Sequence, residues 1–281
     1  MSTELPSIVI DRLVRIALEE DLGGGDVTTE ACIDDEARST AHAVARRAQI
    51  ACGARVAERV FMLVDAAVEF HPGPNDGVRV DETTTLWSVR GRARSILMAE
   101  RVALNFVQRM AGVATLTRRY VDAVPAGSKT RITDTRKTTP GLRALERFAV
   151  RTGGGKNHRD NLGSAVLIKD NHIAASGGIA EAIARARSRA PHTSKIECEV
   201  DTLQGLEVAI GAGADIVMLD NMSNEDISRA VGIAAGRVFL EASGGITLER
   251  IPALAQTGVD AISVGALTHS AAAMDIGLDF E

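Results

Sequence analysis

The chain has 281 residues, 45% apolar and 25% charged, with a formal net charge of -5 and a pI near 5.8. That length and balance suit a globular protein of one large or two smaller domains with a substantial core, while the acidic pI, lone Trp and single Tyr argue against a nucleic-acid binder, which needs a basic face and stacking aromatics. Cys32, Cys52 and Cys198 are odd in number, scattered and without a C-x-x-C pair, so neither a disulfide framework nor a zinc site is indicated and a reducing cytoplasm is expected.

The N-terminus, MSTELPSIVIDRLVRIALEEDLGGGD, lacks a basic segment leading into an apolar one, and no run approaches the roughly 20 residues that cross a bilayer. It reads as a helix with Ile8, Leu13, Ile16 and Ala17 on one face. Residues 40–46 (TAHAVAR) and 84–90 (TTLWSVR) read as half-exposed strands, and 52–64 and 94–122 as helices. HPGPNDG at 71–77 reads as a surface turn, because its prolines and glycines exclude regular structure. The expectation is an α+β domain over residues 1–110, with the long helix leading into a second domain over 111–281 whose C-terminal tail is a candidate to return to the first.

From Lys129 onward one pattern repeats: a short apolar run, a polar residue at its end, then about three turns of helix. The six runs are KTRITDT, SAVLIKD, KIECEVD, ADIVMLD, VFLEASG and AISVGAL. Thr202, Ser223 or Asn224, and Thr247 suit N-caps, and Gly213, Gly236 and Gly258 suit helix stops. Such alternation implies parallel strands with helices outside. A barrel is favoured, because no G-x-G-x-x-G unit opens the segment, but six strands fall short of the usual eight, so an open or incomplete parallel α/β barrel is expected.

In either a barrel or an open sheet the ligand sits at the carboxyl ends of the strands. Those ends carry Arg136 and Lys137, then Lys169, Glu199, Asp220, EASGG at 241–245 and SVGA at 263–266. Charge is concentrated here too: residues 131–172 hold nine Lys or Arg against four acids, a local +5 that leaves -10 for the rest. The amides of Ser243, Gly244 and Gly245, just before a helix, could cradle a phosphate, and Val264, Gly265 and Ala266 offer a second such turn. Each alone reads as a tight connection; two on the final strands point to phosphate.

Carboxylates beside a phosphate repel it unless a divalent cation intervenes, so Glu199 and Asp220 are candidate Mg²⁺ ligands, the alternative being ion pairs with Lys137 or Lys169. Arginine offers a planar two-pronged grip on a carboxylate where lysine offers a point charge. GGGKNHR at 153–159 folds tightly and turns His158 and Arg159 inward, or forms a flexible lid without direct contacts, or does both. His172 and His269 read as structural, and no nucleophile triad is suggested.

At these residues a resemblance becomes specific. TRKTTPGLR (135–143), GGGKNHR (153–159), IKDNH (168–172), EVD (199–201), LDN (219–221), ASGG (242–245) and VGALTHS (264–270) together resemble the quinolinate phosphoribosyltransferases, as do EEDLGGGDVTT (19–29) and AERVALNFVQRMAGVAT (99–115), in order along nearly the whole chain. The resemblance implies an N-terminal α/β sandwich packed on an open barrel of about seven strands and helices. It implies transfer of phosphoribosyl from 5-phosphoribosyl-1-pyrophosphate to quinolinate with decarboxylation, giving nicotinate mononucleotide for NAD synthesis.

By that resemblance Arg101, Arg136, His158, Arg159 and Lys169 bind the dicarboxylate, and Thr135 is a further substrate contact. Lys137 lies near the pyrophosphate and reacting centre. Glu199 and Asp220 hold Mg²⁺ and the ribose hydroxyls, and residues 243–245 and 264–266 take the 5-phosphate. Arg101 precedes the barrel and in the family reaches the neighbouring subunit's site, which implies a homodimer with shared sites. Lys156 has no assigned role. The rivals are a phosphoribosyltransferase of the same fold acting on nicotinate, a molybdenum-associated relative, and a phosphate sensor without activity; the sensor predicts loss of Lys137, Glu199 or Asp220, and all three are present.

Overall fold

A computed structural model describes residues 4–281. The chain divides into two units, one made of the described residues through Arg118 with 138–154 and 267–281, the other of 119–137 and 155–266. In the first, period-two burial builds an antiparallel sheet. β1 (Arg38–Ala45) buries Ala41, Ala43 and Ala45, and pairs with β5 (Thr85–Arg92) so that Ala41 faces Val89 and Ala43 faces Trp87. The order is β12-β1-β5-β3, with β3 (Glu69–Pro72) at one edge and β12 (Ile276–Phe280) at the other; β2 (Gln49–Ile50) and β4 (Arg79–Val80) form a separate pair. His71 and Pro72, expected in a turn, therefore end an edge strand, where proline's missing donor is tolerated.

Trp87 is fully buried and stacks on Phe70 at 6.2 Å and 20° between planes. The stripe Val56, Ala57, Val60 and Phe61 of α3 (Ala54–Val64) is buried at helical spacing, bringing Phe61 to 6.2 Å from Phe70. α1 (Ser7–Leu22) corrects the expected face. Ile10, Leu13 and Val14 are buried, whereas Ile8 is 80% and Ile16 58% exposed. The i, i+3, i+4 triplet starting at Ile10 packs inward, Ile16 falls about a third of a turn away and Ile8 nearly opposite. α2 (Val27–Cys32) starts on the Asp26 cap, which accepts from Thr29 N at 2.9 Å. α4 (Ala93–Asp122) is the long helix expected.

α5 (Arg143–Thr152) corrects the reading of the basic stretch, whose arginines suggest an anion site when only their charge is considered. Leu145, Glu146, Ala149 and Val150 are buried at helical spacing and Arg143, Arg147 and Arg151 recur every fourth residue, so these three cations belong to a helix of the first unit.

The second unit carries all six expected strands: β6 (Arg131–Thr133), β7 (Val166–Ile168), β8 (Ile196–Val200), β9 (Ile216–Asp220), β10 (Phe239–Ser243) and β11 (Ala261–Ser263). They form one parallel sheet ordered β6-β11-β10-β9-β8-β7. The connections are α6 (Asp170–Ser176), α7 (Ile179–Arg189), α8 (Leu203–Gly211), α9 (Asn224–Ala234) and α10 (Ile251–Gln256), the last preceded by a 3₁₀ turn over Leu248–Arg250; α11 (Ala266–His269) follows β11. Thr202 and Ser223 cap α8 and α9 as expected, accepting from Gly205 N and Asp226 N.

Beyond β6 a one-residue parallel bridge joins Thr133 to Lys156, with Lys156 N donating to Ile132 O at 2.8 Å and Asp134 N to Lys156 O at 3.1 Å. This rudimentary seventh strand lies inside GGGKNHR. Among the described residues no ladder joins it to β7, so the barrel is open.

Candidate active site

Strand periodicity places the functional side chains. Glu197 and Glu199 of β8 share a face, as do Met218 and Asp220 of β9 and Glu241 and Ser243 of β10. On the opposite face Cys198, Val217, Leu219, Leu240 and Ala242 are apolar and buried. The carboxyl ends of the strands enclose a cavity of about 360 Å³. Thr135, Arg136 and Lys137 enter it after β6, His158 and Arg159 after the Lys156 bridge, and Lys169 after β7. Glu199, Asp220, Ser243, Gly244 and Gly245 line it too, joined by Leu167, Met218, Asn221, Glu241 and Ser263.

Of the nine cations counted in the basic stretch, Arg136, Lys137, Arg159 and Lys169 reach the cavity. Arg131 instead lies 5.9 Å over the Phe239 ring. Arg101 is exposed on α4 in the first unit and does not line the cavity. Val264, Gly265 and Ala266 do not line it either, and the Val264 amide is already donated to Thr133 O at 3.0 Å. A sheet bond and a phosphate compete for one N–H, and β11 pairing with β6 takes it. His172 is hydrogen-bonded: its Nδ1 accepts from Lys169 N at 3.0 Å. His269 Nδ1 is 2.7 Å from Ser270 Oγ.

Lys169 Nζ contacts Glu199 Oε2 directly, so the ion pair weighed against a metal role is present. Asp220 Oδ2 accepts from Asn221 Nδ2 at 2.7 Å. Glu199 and Asp220 stand on adjacent strands of one cavity and are hard oxygen donors, a set that fits Mg²⁺ completed by water and phosphate oxygens. Arg136 Nε is buried with no hydrogen-bond partner among the described residues, an orphan donor in a cavity suited to anions. Arg136 and Arg159 line the same cavity, and burial together with the charge of Arg136 pulls the Arg159 guanidinium's pKa down.

The GGGKNHR loop is pinned at several points, which turns His158 and Arg159 inward. Besides the bridge, the fully buried Asp134 accepts from His158 N at 2.7 Å and Asn157 Nδ2 at 2.6 Å. The His158 ring lies between two buried acids, its Nε2 3.2 Å from Glu197 Oε2 and 3.4 Å from Glu241 Oε2. Burial alone would lower the imidazole's pKa, but hydrogen bonds to the two carboxylates lift it to about 10. Glu197 is raised by its own burial, against the hydrogen bond from His158.

Asp134 and Glu197 are residues that the strand-end reading of the sequence misses, and Glu241 enters that reading only as part of EASGG, without a role of its own. A signal exists for them: parallel strands covered on both faces read as unbroken apolar runs, so an acid inside RITDT, KIECEVD or VFLEASG is an anomaly.

The chain matches two family models, quinolinate phosphoribosyl transferase N-terminal domain over residues 26–111 and C-terminal domain over 113–279. It is 43% identical over 260 residues to a probable carboxylating nicotinate-nucleotide pyrophosphorylase of Bacillus subtilis, covering 92% of this chain and 89% of that one. It is 43% identical over 274 residues to the carboxylating nicotinate-nucleotide pyrophosphorylase of Mycobacterium leprae, covering 95% of both. The solved nicotinate-nucleotide pyrophosphorylase of Francisella tularensis superposes with a TM-score of 0.95 at 43% identity, over 99% of this chain and 98% of that one.

Proposed function

The chain belongs to the quinolinate phosphoribosyltransferase family, and on that premise we propose how its cavity residues divide the work. The enzyme transfers phosphoribosyl from 5-phosphoribosyl-1-pyrophosphate to quinolinate, releasing pyrophosphate and CO₂ and yielding nicotinate mononucleotide in de novo NAD synthesis. The observation carrying the assignment of roles is the convergence of Arg136, Lys137, His158, Arg159 and Lys169 with Glu199 and Asp220 in one cavity. Two carboxylates, a phosphate and a pyrophosphate must share that space, and only such a crowd of cations offsets their repulsion.

Arg136, Arg159, Lys169 and His158 hold the quinolinate carboxylates, with Thr135 beside them; planar guanidinium groups suit two-pronged carboxylate binding. The amides of Ser243, Gly244 and Gly245 hold the 5-phosphate. Glu199 and Asp220 bind the ribose hydroxyls and would hold Mg²⁺, which when bound neutralises charge on the pyrophosphate. Lys137 lies beside the leaving group.

The pyridine nitrogen, positioned by these contacts, attacks C1 of the ribose as the C1–pyrophosphate bond breaks, a step driven by placement and electrostatics. The alkylated nitrogen is then cationic and stabilises the electron pair left at C2 when CO₂ departs. A proton replaces the carboxylate there. Glycosyl transfer itself needs no strong base.

The chain works as a homodimer in which Arg101 completes the partner's site. Its exposure on α4 and its absence from the cavity lining support this, as does the exposure of Ile8, Ile16 and Val27. The compartment is the cytoplasm, where Cys32, Cys52 and Cys198 stay reduced. Among the described residues no helix is long and apolar enough to cross a membrane.

The direct test supplies quinolinate, 5-phosphoribosyl-1-pyrophosphate and Mg²⁺ and measures CO₂ and nicotinate mononucleotide, with nicotinate in parallel; product from nicotinate but not quinolinate would overturn the assignment. Mixing inactive Arg101→Ala and Lys137→Ala proteins should restore part of the activity through heterodimers, and no recovery after verified subunit exchange would refute site sharing.

A further inference from the structure

His158 is held at three points by acids from three strands. Asp134, just past β6, takes its backbone N–H, while Glu197 of β8 and Glu241 of β10 reach its ring from either side of β9. Both glutamates are more than 95% buried; Leu167 of β7 is in register with Glu197, and Met218 of β9 with Glu241. Two buried acids are a poor way to stabilise a fold, because apolar residues of similar volume are commonly neutral or better. Charge balance does not call for two of them either, since one imidazolium needs one carboxylate. Glu241 Oε1 is buried without a hydrogen-bond partner among the described residues, while its residue lines the cavity.

We infer that Glu197 and Glu241 are positioning residues for the pyridine dicarboxylate: by gripping Nε2 of His158 from two strands they fix the orientation and positive charge of a ring that a substrate carboxylate must meet. A single carboxylate would leave the imidazole free to pivot about one hydrogen bond. Two acceptors on strands of a rigid sheet define its direction, as outer partners do for ligand histidines elsewhere. Arg159, the other cation whose charge acts on Glu197, offsets the second acid. The persistence of charge on His158 follows from the same contacts and is consistent with its raised pKa.

This inference rests on the assignment of His158 to quinolinate, and the experiment separates the two. Glu197→Gln and Glu241→Gln are made in the full chain, and KM is measured for each substrate separately, with nuclear magnetic resonance of the ¹⁵N-labelled His158 ring at pH 8 and thermal unfolding alongside. Expected is a tenfold or greater rise in the KM for quinolinate in each variant, with the KM for 5-phosphoribosyl-1-pyrophosphate within twofold of the parent. The double variant should show the neutral imidazole where the parent shows imidazolium. Glu241→Met, which fills the layer with apolar volume, should fold at least as well as the parent and still lose quinolinate affinity, guarding against a variant that fails to fold. Unchanged quinolinate KM, a parallel rise in both KM values, or a tightly bound metal equivalent that Glu241→Gln abolishes would overturn the inference. A His158→Gln protein with parent-like quinolinate KM would overturn the underlying assignment; a defective His158→Gln protein with parent-like glutamate variants would overturn only the positioning role.

Discussion

Replacing Gly244 by alanine should weaken the proposed phosphate loop in a way its neighbour does not share. Gly244 has φ +86°, and a Cβ there would lie 2.3 Å from Asn221 Oδ1 and 2.7 Å from Asn221 N. The left-handed conformation costs a non-glycine residue roughly 1–2 kcal/mol. The clash adds about 1–3 kcal/mol of overpacking, because backbone has to move. Asn221 cannot yield easily. Its own φ is +55°, its N–H is donated to Ser243 O at 3.0 Å, and its side chain holds Asp220. Displacing this segment therefore shifts the loop amides and a proposed metal ligand together.

A charge-assisted hydrogen bond is worth about 1.5–3 kcal/mol, so impairing one or two predicts a KM for 5-phosphoribosyl-1-pyrophosphate raised roughly 10- to 100-fold or more. Gly245 provides the control: its φ is +56° and the nearest atom to a Cβ placed there would be 4.0 Å away, so alanine meets strain without a clash and should cost about 1–2 kcal/mol. Steady-state kinetics with each substrate varied, alongside thermal melting, make the comparison. A Gly244→Ala enzyme with parent-like KM for the sugar donor, or a Gly245→Ala enzyme harmed more, would refute the reasoning.

Lys169→Met should lose about 2–5 kcal/mol of transition-state stabilisation, roughly 30-fold or more in kcat/KM, while its melting temperature barely moves, because the partly exposed pair with Glu199 contributes at most about 1 kcal/mol to folding. Arg109→Ala should destabilise the protein by about 3–5 kcal/mol in denaturant titrations: it strands the fully buried Glu146, to which Arg109 donates from Nε at 3.0 Å and from Nη2 at 2.7 Å. Arg109→Lys should recover only part of this, since an ammonium cannot make the two-pronged contact. Asp65 is held below the usual carboxylate range by hydrogen bonds from Ala67 N and Ser95 Oγ and by Arg92. A lowered folded-state value means its contribution is complete above about pH 4 and is lost as pH falls through that value. Melting temperature against pH should therefore show a shallower acid limb for Asp65→Asn than for the parent.

The six parallel strands of the second unit are legible in the sequence because each is a short apolar run closed by a polar residue, and the strand-end rule then puts Arg136, Lys137, Lys169, Glu199 and Asp220 in one cavity. Helix caps at Thr202 and Ser223 are legible for the same reason: the signal lies within three residues of its effect. The face of α1 is not, because an apolar residue at helical spacing is buried only if another element covers it, and none covers Ile8. Nor is the helix within the basic stretch, whose arginines suggest an anion site while its buried Leu145 and Ala149 answer to the first unit.

Local pattern thus determined which segments become strands and helices and which charged groups end the strands. Tertiary structure alone decided that β12 pairs with β1 more than 230 residues away, that Lys156 bridges to β6 and pins the His158 loop, and that Glu197 and Glu241 meet on one imidazole. Propensity, capping and periodicity act over a few residues, whereas a buried ion cluster is specified by the spacing of strands distant along the chain, and only the assembled sheet sets that spacing.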